Sequence, residues 1–167
     1  GDKNRMYYDA GISYVKNVLE ATKTLLKNPN DLDTRSIIMM GASLSTSSRL
    51  GIGKEEAYAY DIYELEFLPE KLFGSSYRRS LTSIFPRFLE AMGKRHKEDV
   101  RKYYLDVFGF DSSIEESSRK LVALFSDFGV DMYYDGIINR EQVGCIPCDT
   151  ELDENEIFEM INGLIRK

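Results

Sequence analysis

Cys145-Ile146-Pro147-Cys148 holds both thiols of the chain, with two residues between them. That spacing suits a disulfide-forming redox pair, or half of a soft-metal site such as zinc. A redox pair normally opens a helix that follows a strand, and a zinc site needs four ligands. No second CxxC and no neighbouring His accompanies this pair. The plain reading is two thiols on a loop ahead of the last helix, with the redox and shared-metal readings left open.

Carboxylates are the next resource. Asp61 and Glu64 stand three apart on one predicted helix face, and Glu70 follows. Hard cations use such oxygens, but solvated helices carry similar pairs, and the solvated face is the better reading. Gly51-Ile52-Gly53-Lys54 resembles a phosphate loop only superficially. The spacing of a P-loop is missing, and Glu55 and Glu56 would repel a phosphate. The dinucleotide fingerprint also fails, so the glycines read as a helix–helix turn. His96 is the only His and lies in Lys94-Arg95-His96-Lys97. Its cationic neighbours and its place at a helix start favour a satisfied surface residue over a catalytic base. Eleven Tyr, among them Tyr58, Tyr60, Tyr63 and Tyr77, suit a polar-lined interior or a partner surface.

The elements that would position these groups are helices. Ile12, Val15, Leu19, Thr22 and Leu26 recur at helical steps, and the run should stop at Asn28-Pro29-Asn30-Asp31. Asp33 should cap the next helix, with Ile37, Met40 and Leu44 on its apolar face. The small residues from Gly41 to Ser48 place that helix in the interior. A third helix is expected from about Lys54 to Phe67, ended by Pro69. A fourth covers Tyr77 to Met92, with a kink or break at Pro86. A fifth carries Val100, Tyr103, Tyr104 and Val107 and ends at Gly109. A sixth opens on Ser113 and Glu116 in capping-box spacing, buries Leu121, Val122 and Phe125, and stops before Gly129. The last helix has the strongest start signal: Asp153 as cap, Glu156 reaching back, and Leu152 stapled onto Ile157. The stretch from Asp131 to Thr150 reads as a loop wrapped over the helices. No strand alternates with these helices, so the fold class is all-α, a single helical-bundle domain of about seven helices spanning 1–167.

Composition sets the outer bounds. The chain has 167 residues, 43% of them hydrophobic and 30% charged, with 4 Pro, which excludes a disordered or collagenous chain. A net charge of -6 makes it a poor holder of a phosphate backbone, so no nucleic-acid partner is expected. No apolar run is long enough for a membrane-spanning helix. Two Cys argue against a disulfide-stapled secreted scaffold, and a cytoplasmic location is expected. A start on Gly1 rather than Met reads as a trimmed chain or a fragment.

Order and spacing along nearly the whole chain add a resemblance. Asp9-Ala10-Gly11-Ile12 and then Leu25-Leu26-Lys27-Asn28-Pro29-Asn30-Asp31-Leu32-Asp33-Thr34-Arg35 lead into the small-residue run Ser36 to Ser48. Tyr63-Glu64-Leu65, Ser76-Tyr77-Arg78-Arg79-Ser80-Leu81 and Ile84-Phe85-Pro86 follow, then Tyr104 to Phe110 and Leu152-Asp153-Glu154-Asn155-Glu156-Ile157. In this order they resemble the C-terminal helical domain of iron-containing alcohol dehydrogenases, most closely the butanol dehydrogenase type. Each motif is individually short; the persuasive feature is their succession.

The resemblance implies a partner domain and a chemistry. In that family an N-terminal nucleotide-binding domain supplies NAD(P), and the helical domain holds iron or zinc between an Asp and three His. Two of those ligands would precede residue 1, and the other two positions match Tyr63 and Tyr77. A phenol is a far poorer ligand for iron or zinc at neutral pH than an imidazole. The expected reading is therefore a degenerate, pseudoenzyme-like domain with no metal site and no cofactor of its own, acting in ligand or partner binding. Asp61, Glu64, Cys145 and Cys148 are its possible cleft or thiol sites. The face that would meet the nucleotide domain should be apolar, which makes a homo-oligomer an expected partner state. The alternative is a C-terminal fragment of a NAD(P)-dependent alcohol dehydrogenase, with Tyr63 or Tyr77 polarising a substrate carbonyl as a phenolic donor.

Overall fold

The computed structural model describes residues 5–46 and 61–166, with the side chains of Ser45, Thr46 and Asp61 outside that description. Among these residues the elements are α-helices with one π-helical turn, and the only β feature is an isolated bridge, so the protein is all-α. No described helix is long and apolar enough to cross a membrane. The chain groups into two compact units. One holds 5–46 together with 105–109, the other the remainder.

The first unit is a helical hairpin, α1 (Arg5–Lys27) and α2 (Leu32–Thr46), joined by the turn at Pro29. The cap of α2 is Asp31 rather than the expected Asp33. Its Oδ1 accepts the Thr34 N–H at 2.9 Å, which holds its carboxyl below the ordinary range. The two helices meet at Gly41, where an added Cβ would stand 2.9 Å from Val18 Cγ2 and 3.3 Å from the Tyr14 ring. The Tyr14 hydroxyl donates to the Gly41 carbonyl. One small residue thus sets the approach, but the interior placement expected of α2 does not hold. Among its described side chains and Gly41, Gly41 is the only fully buried residue, and Ile37, Met40 and Leu44 are all exposed. On α1 only Ala21 is fully buried, and Leu26 is exposed. In the same unit the Tyr8 hydroxyl donates to Asp106 Oδ2 at 2.8 Å.

The second unit is built around α5 (Tyr77–Met92). It buries Ser80, Ser83, Ile84, Pro86, Phe88, Leu89, Ala91 and Met92. Packed on it are α3 (Asp61–Leu65), α4 (Phe67–Phe73), α6 (Lys97–Tyr103), α7 (Ile114–Asp127) and α9 (Glu154–Asn162). The expected turn at Gly51-Ile52-Gly53 and most of the expected 54–67 helix lie outside the described residues. α3 ends at Leu65, four residues before Pro69, whose carbonyl an N–H at 69 would have met, so the proline closes that helix as expected; Pro69 itself then stands third in the new helix α4. Pro86 does not break α5, and its carbonyl accepts the Ser118 hydroxyl of α7 at 3.0 Å.

Beyond α6 the chain widens into a π-helical turn, Tyr104–Phe108, which the sequence pattern did not anticipate, and ends at Gly109 with φ of 71°. Ser113 caps α7 by accepting the Glu116 N–H at 3.2 Å, but the Glu116 carboxylate pairs outward with Lys120 instead of closing a box. The 131–150 stretch is irregular, as expected, except for the short α8 (Arg140–Gly144). A capping box between Asn139 and Gln142 starts it. The box of α9 forms as read, between Asp153 and Glu156, over the buried pair Leu152 and Ile157.

Tyr134 ties the irregular stretch to the helices. Its ring stacks on Phe73 at 4.6 Å and under the Arg79 guanidinium at 4.3 Å. Its hydroxyl stands 2.9 Å from both Ser75 and Ser83, and its backbone bridges Leu164 and Arg166.

Candidate functional site

The sequence-derived candidates fall on three parts of the second unit. Tyr63 lies on α3 and Tyr77 opens α5; the helices pack together, and each phenol is half exposed. Glu64 is exposed on α3, and the Asp61 side chain lies outside the described residues. His96 precedes α6 and sets its Nε2 3.0 Å from Glu151 Oε2, a satisfied position at the surface.

Both cysteines are free thiols, Cys145 exposed at the end of α8 and Cys148 half-buried. The Cys148 thiol donates to the Ile146 carbonyl at 3.6 Å and to the Glu64 carbonyl at 3.7 Å, so two candidates from opposite ends of the sequence do meet. Burial, followed by the charge of Glu64, pushes the Cys148 thiol up. Those surroundings favour the protonated thiol over the thiolate that redox exchange and metal binding require.

Cys148 also lines a cleft of about 330 Å³ between α8 and α9. Val143, Leu152 and Ile157, all buried, form its apolar floor. Arg140, Glu154 and Asn155 form a polar rim. The Arg140 guanidinium lies 4.4 Å from the Phe158 ring centroid, hydrogen-bonds Asn155 Oδ1 and faces Glu159 Oε1 at 3.5 Å. These partners flatten its long side chain along α9 and leave further N–H groups of the guanidinium to offer a ligand. The volume is at the lower end of the range for small-molecule sites, and an apolar floor with few polar groups at the edge is their usual make-up. Sequence reasoning found Cys148 but missed this cleft, whose only sequence signal is the Asn139-x-x-Gln142 box that starts α8.

One buried group was also missed. Glu66, at the elbow between α3 and α4, is 2% exposed, and its Oε2 has no hydrogen-bond partner. Burial first, and then repulsion by Glu70, push its carboxyl up. Among the described residues no three His, Cys, Asp or Glu side chains converge to hold a metal ion. The donor set at the two resembled ligand positions, two phenols, does not suit iron or zinc. No family model and no curated protein matches the chain.

Proposed function

We propose that this chain is a helical binding domain similar to the C-terminal half of iron-containing alcohol dehydrogenases, without hydride-transfer chemistry of its own. Its ligand is a small, neutral, mainly apolar molecule with one hydrogen-bond acceptor, held between α8 and α9. The observation that supports this is the cleft itself: Val143, Leu152 and Ile157 below, Arg140 and Asn155 at the edge. Arg140 and Asn155 supply donors, while Glu154 beside them opposes an anion.

A short aliphatic alcohol or amide meets that description, and 1-butanol and butyramide are suitable probes. In an amide-resolved NMR titration, shifts should concentrate on Val143, Leu152, Ile157 and their neighbours and should weaken in Val143→Phe, which fills the floor. Uniform small shifts, or shifts confined to α3 and α5, would reject the reading.

A second reading, the C-terminal part of a NAD(P)-dependent alcohol dehydrogenase, draws on the half-exposed phenols of Tyr63 and Tyr77, which are open to a substrate carried by another domain. Butanal-dependent oxidation of NAD(P)H by a chain that includes a nucleotide-binding domain, lost in Tyr63→Phe or Tyr77→Phe, would favour it.

A further inference from the structure

The two cysteines offer chemistry that a binding cleft does not use. Both are free thiols, Cys145 exposed and Cys148 half-buried. The chain between them turns back on itself. Cys145 ends α8 in helical geometry, with φ of -74° and ψ of -10°, and the chain bends at Ile146. There the Ile146 N–H returns to the Val143 carbonyl at 3.1 Å. The Cys148 thiol is turned toward that bend, 3.6 Å from the carbonyl of Ile146, the residue bonded to Cys145. A disulfide needs its two Cα atoms within about 7 Å, a separation that a four-residue turn provides. The other contact of the Cys148 thiol, at 3.7 Å, is the Glu64 carbonyl on α3.

We infer that Cys145 and Cys148 form a thiol–disulfide exchange site. Its substrate is a small, uncharged or cationic disulfide, and its product is an internal disulfide that releases Cys148 from α3. Access assigns the roles. Cys145, the exposed thiol, attacks as its thiolate one sulfur of the small disulfide and expels the other, which takes up a proton. Cys148 then gives its proton to water and attacks the Cys145 sulfur, expelling the second small thiol. Two protein thiols are oxidised to one disulfide, and the small disulfide is reduced to two thiols. Burial keeps Cys148 protonated and disfavours its attack on an outside reagent, but its own step is intramolecular and gains from proximity. Glu141, one helical turn before Cys145, and Asp149, beside Cys148, are exposed, and the charge of Glu64 reaches the Cys148 thiol. These carboxylates disfavour an anionic disulfide, while the nearby cation, Arg140, is engaged by Phe158, Asn155 and Glu159. The pair closes α8 where a catalytic pair would open a helix, which suits a switch rather than a turnover site.

The inference is independent of what the cleft binds. Incubation of the full chain with cystamine, quenched with iodoacetamide and read by intact and peptide mass spectrometry, tests it. The end product should hold one Cys145–Cys148 disulfide and no half of cystamine. Cys148→Ser should stop with one cystamine half on Cys145, and Cys145→Ser should react at least about tenfold more slowly than the unmodified chain. Glutathione disulfide, which is anionic, should react more slowly than cystamine once each rate is divided by that with the urea-unfolded chain. On oxidation the amide NMR signals of Glu64 and Leu65 should shift, and dithiothreitol should restore them. A chain that stays dithiol, or one that keeps a cystamine half on either cysteine, would overturn the inference. So would unmoved Glu64 and Leu65 signals, a Cys145→Ser chain that reacts as fast, or equal normalised rates for the two disulfides. Should a serine variant fail to fold, the end product and the signals of the unmodified chain still decide.

Discussion

Replacing Glu156 by Gln removes one charge from the joint that fixes α9 to the turn after α5. Arg95 grips the Glu156 carboxylate with two bonds, Nη1 to Oε1 at 2.9 Å and Nη2 to Oε2 at 2.5 Å, and Lys94 stands 3.7 Å away. The same carboxylate accepts the Asp153 N–H at 3.1 Å and so closes the capping box. The Arg95 fork holds the Glu156 carboxyl down from 4.5 to about 2, against an opposing effect of burial. A fall of that size corresponds to about 3 kcal/mol of stability at neutral pH. The side chain is 14% exposed, and allowing for screening leaves about 2 kcal/mol. Because the folded value is depressed, this stability is fully present above the unfolded value and disappears as pH falls through the folded one. Gln keeps one oxygen, enough for the Asp153 N–H and one arm of the Arg95 fork, while its NH2 cannot accept from the other arm, so the substitution removes the charge together with one fork bond. Urea unfolding followed by circular dichroism should show Glu156→Gln about 2 kcal/mol less stable between pH 5 and 7. At pH 3 less than about half of that difference should survive. A pH-independent difference would trace the loss to packing instead, and no difference at pH 7 would refute the argument.

Three other outcomes are expected. Gly93→Ala places a Cβ 2.6 Å from Ile114 Cδ1 and 3.2 Å from the Leu89 carbonyl, and should cost about 1–3 kcal/mol by thermal unfolding. Ile114→Val removes the closest of those atoms, so the double variant should recover part of the loss, a coupling that strictly additive effects would disprove. Cys145, exposed, should be alkylated by iodoacetamide at pH 7.5 at least about tenfold faster than half-buried Cys148; peptide mass spectrometry reads the two rates, and equal rates would refute the Cys148 environment described above. Purified without chelators and offered iron and zinc separately, the chain should hold well under one equivalent of either by elemental analysis, since phenols occupy the two resembled ligand positions; one tight equivalent would overturn that ligand assignment.

Local signals were the legible ones. The box of Asp153 and Glu156, the stop at Pro29, the left-handed Gly109 and the bounds of α5 each depend on residues within a few positions, where side-chain and backbone chemistry act alone. Asp31 takes the cap two residues before Asp33 because α2 already starts at Leu32, which puts Asp33 inside the first turn and Asp31 at the position whose carboxylate accepts the Thr34 N–H. The cleft was illegible for the opposite reason. Its floor joins Val143, Leu152 and Ile157 through a turn whose course depends on Cys148 meeting the Glu64 carbonyl from the other side of the unit. Tyr134 shows the same limit, since Phe73, Ser75, Arg79 and Ser83 carry no sequence mark of a tyrosine more than fifty positions away.

The cost of a proline in a helix lies in the hydrogen bond it forfeits and in the carbonyl four residues back that it leaves bare. Before Pro69 that carbonyl belongs to Leu65, where α3 ends; before Pro86 it belongs to Thr82, and α5 continues through it with Ser83, Ile84, Phe88 and Leu89 buried. The small residues of α2 were taken to mean enclosure, yet smallness licenses close approach by one neighbour and says nothing about the remaining faces. Gly41 spends that licence on Tyr14 and Val18. Ile37, Met39, Met40 and Leu44 then stand exposed on a helix whose composition belongs in an interior. Enclosure of a helix is set by how many neighbours reach it, and the close neighbour that the smallness of Gly41 admits is α1.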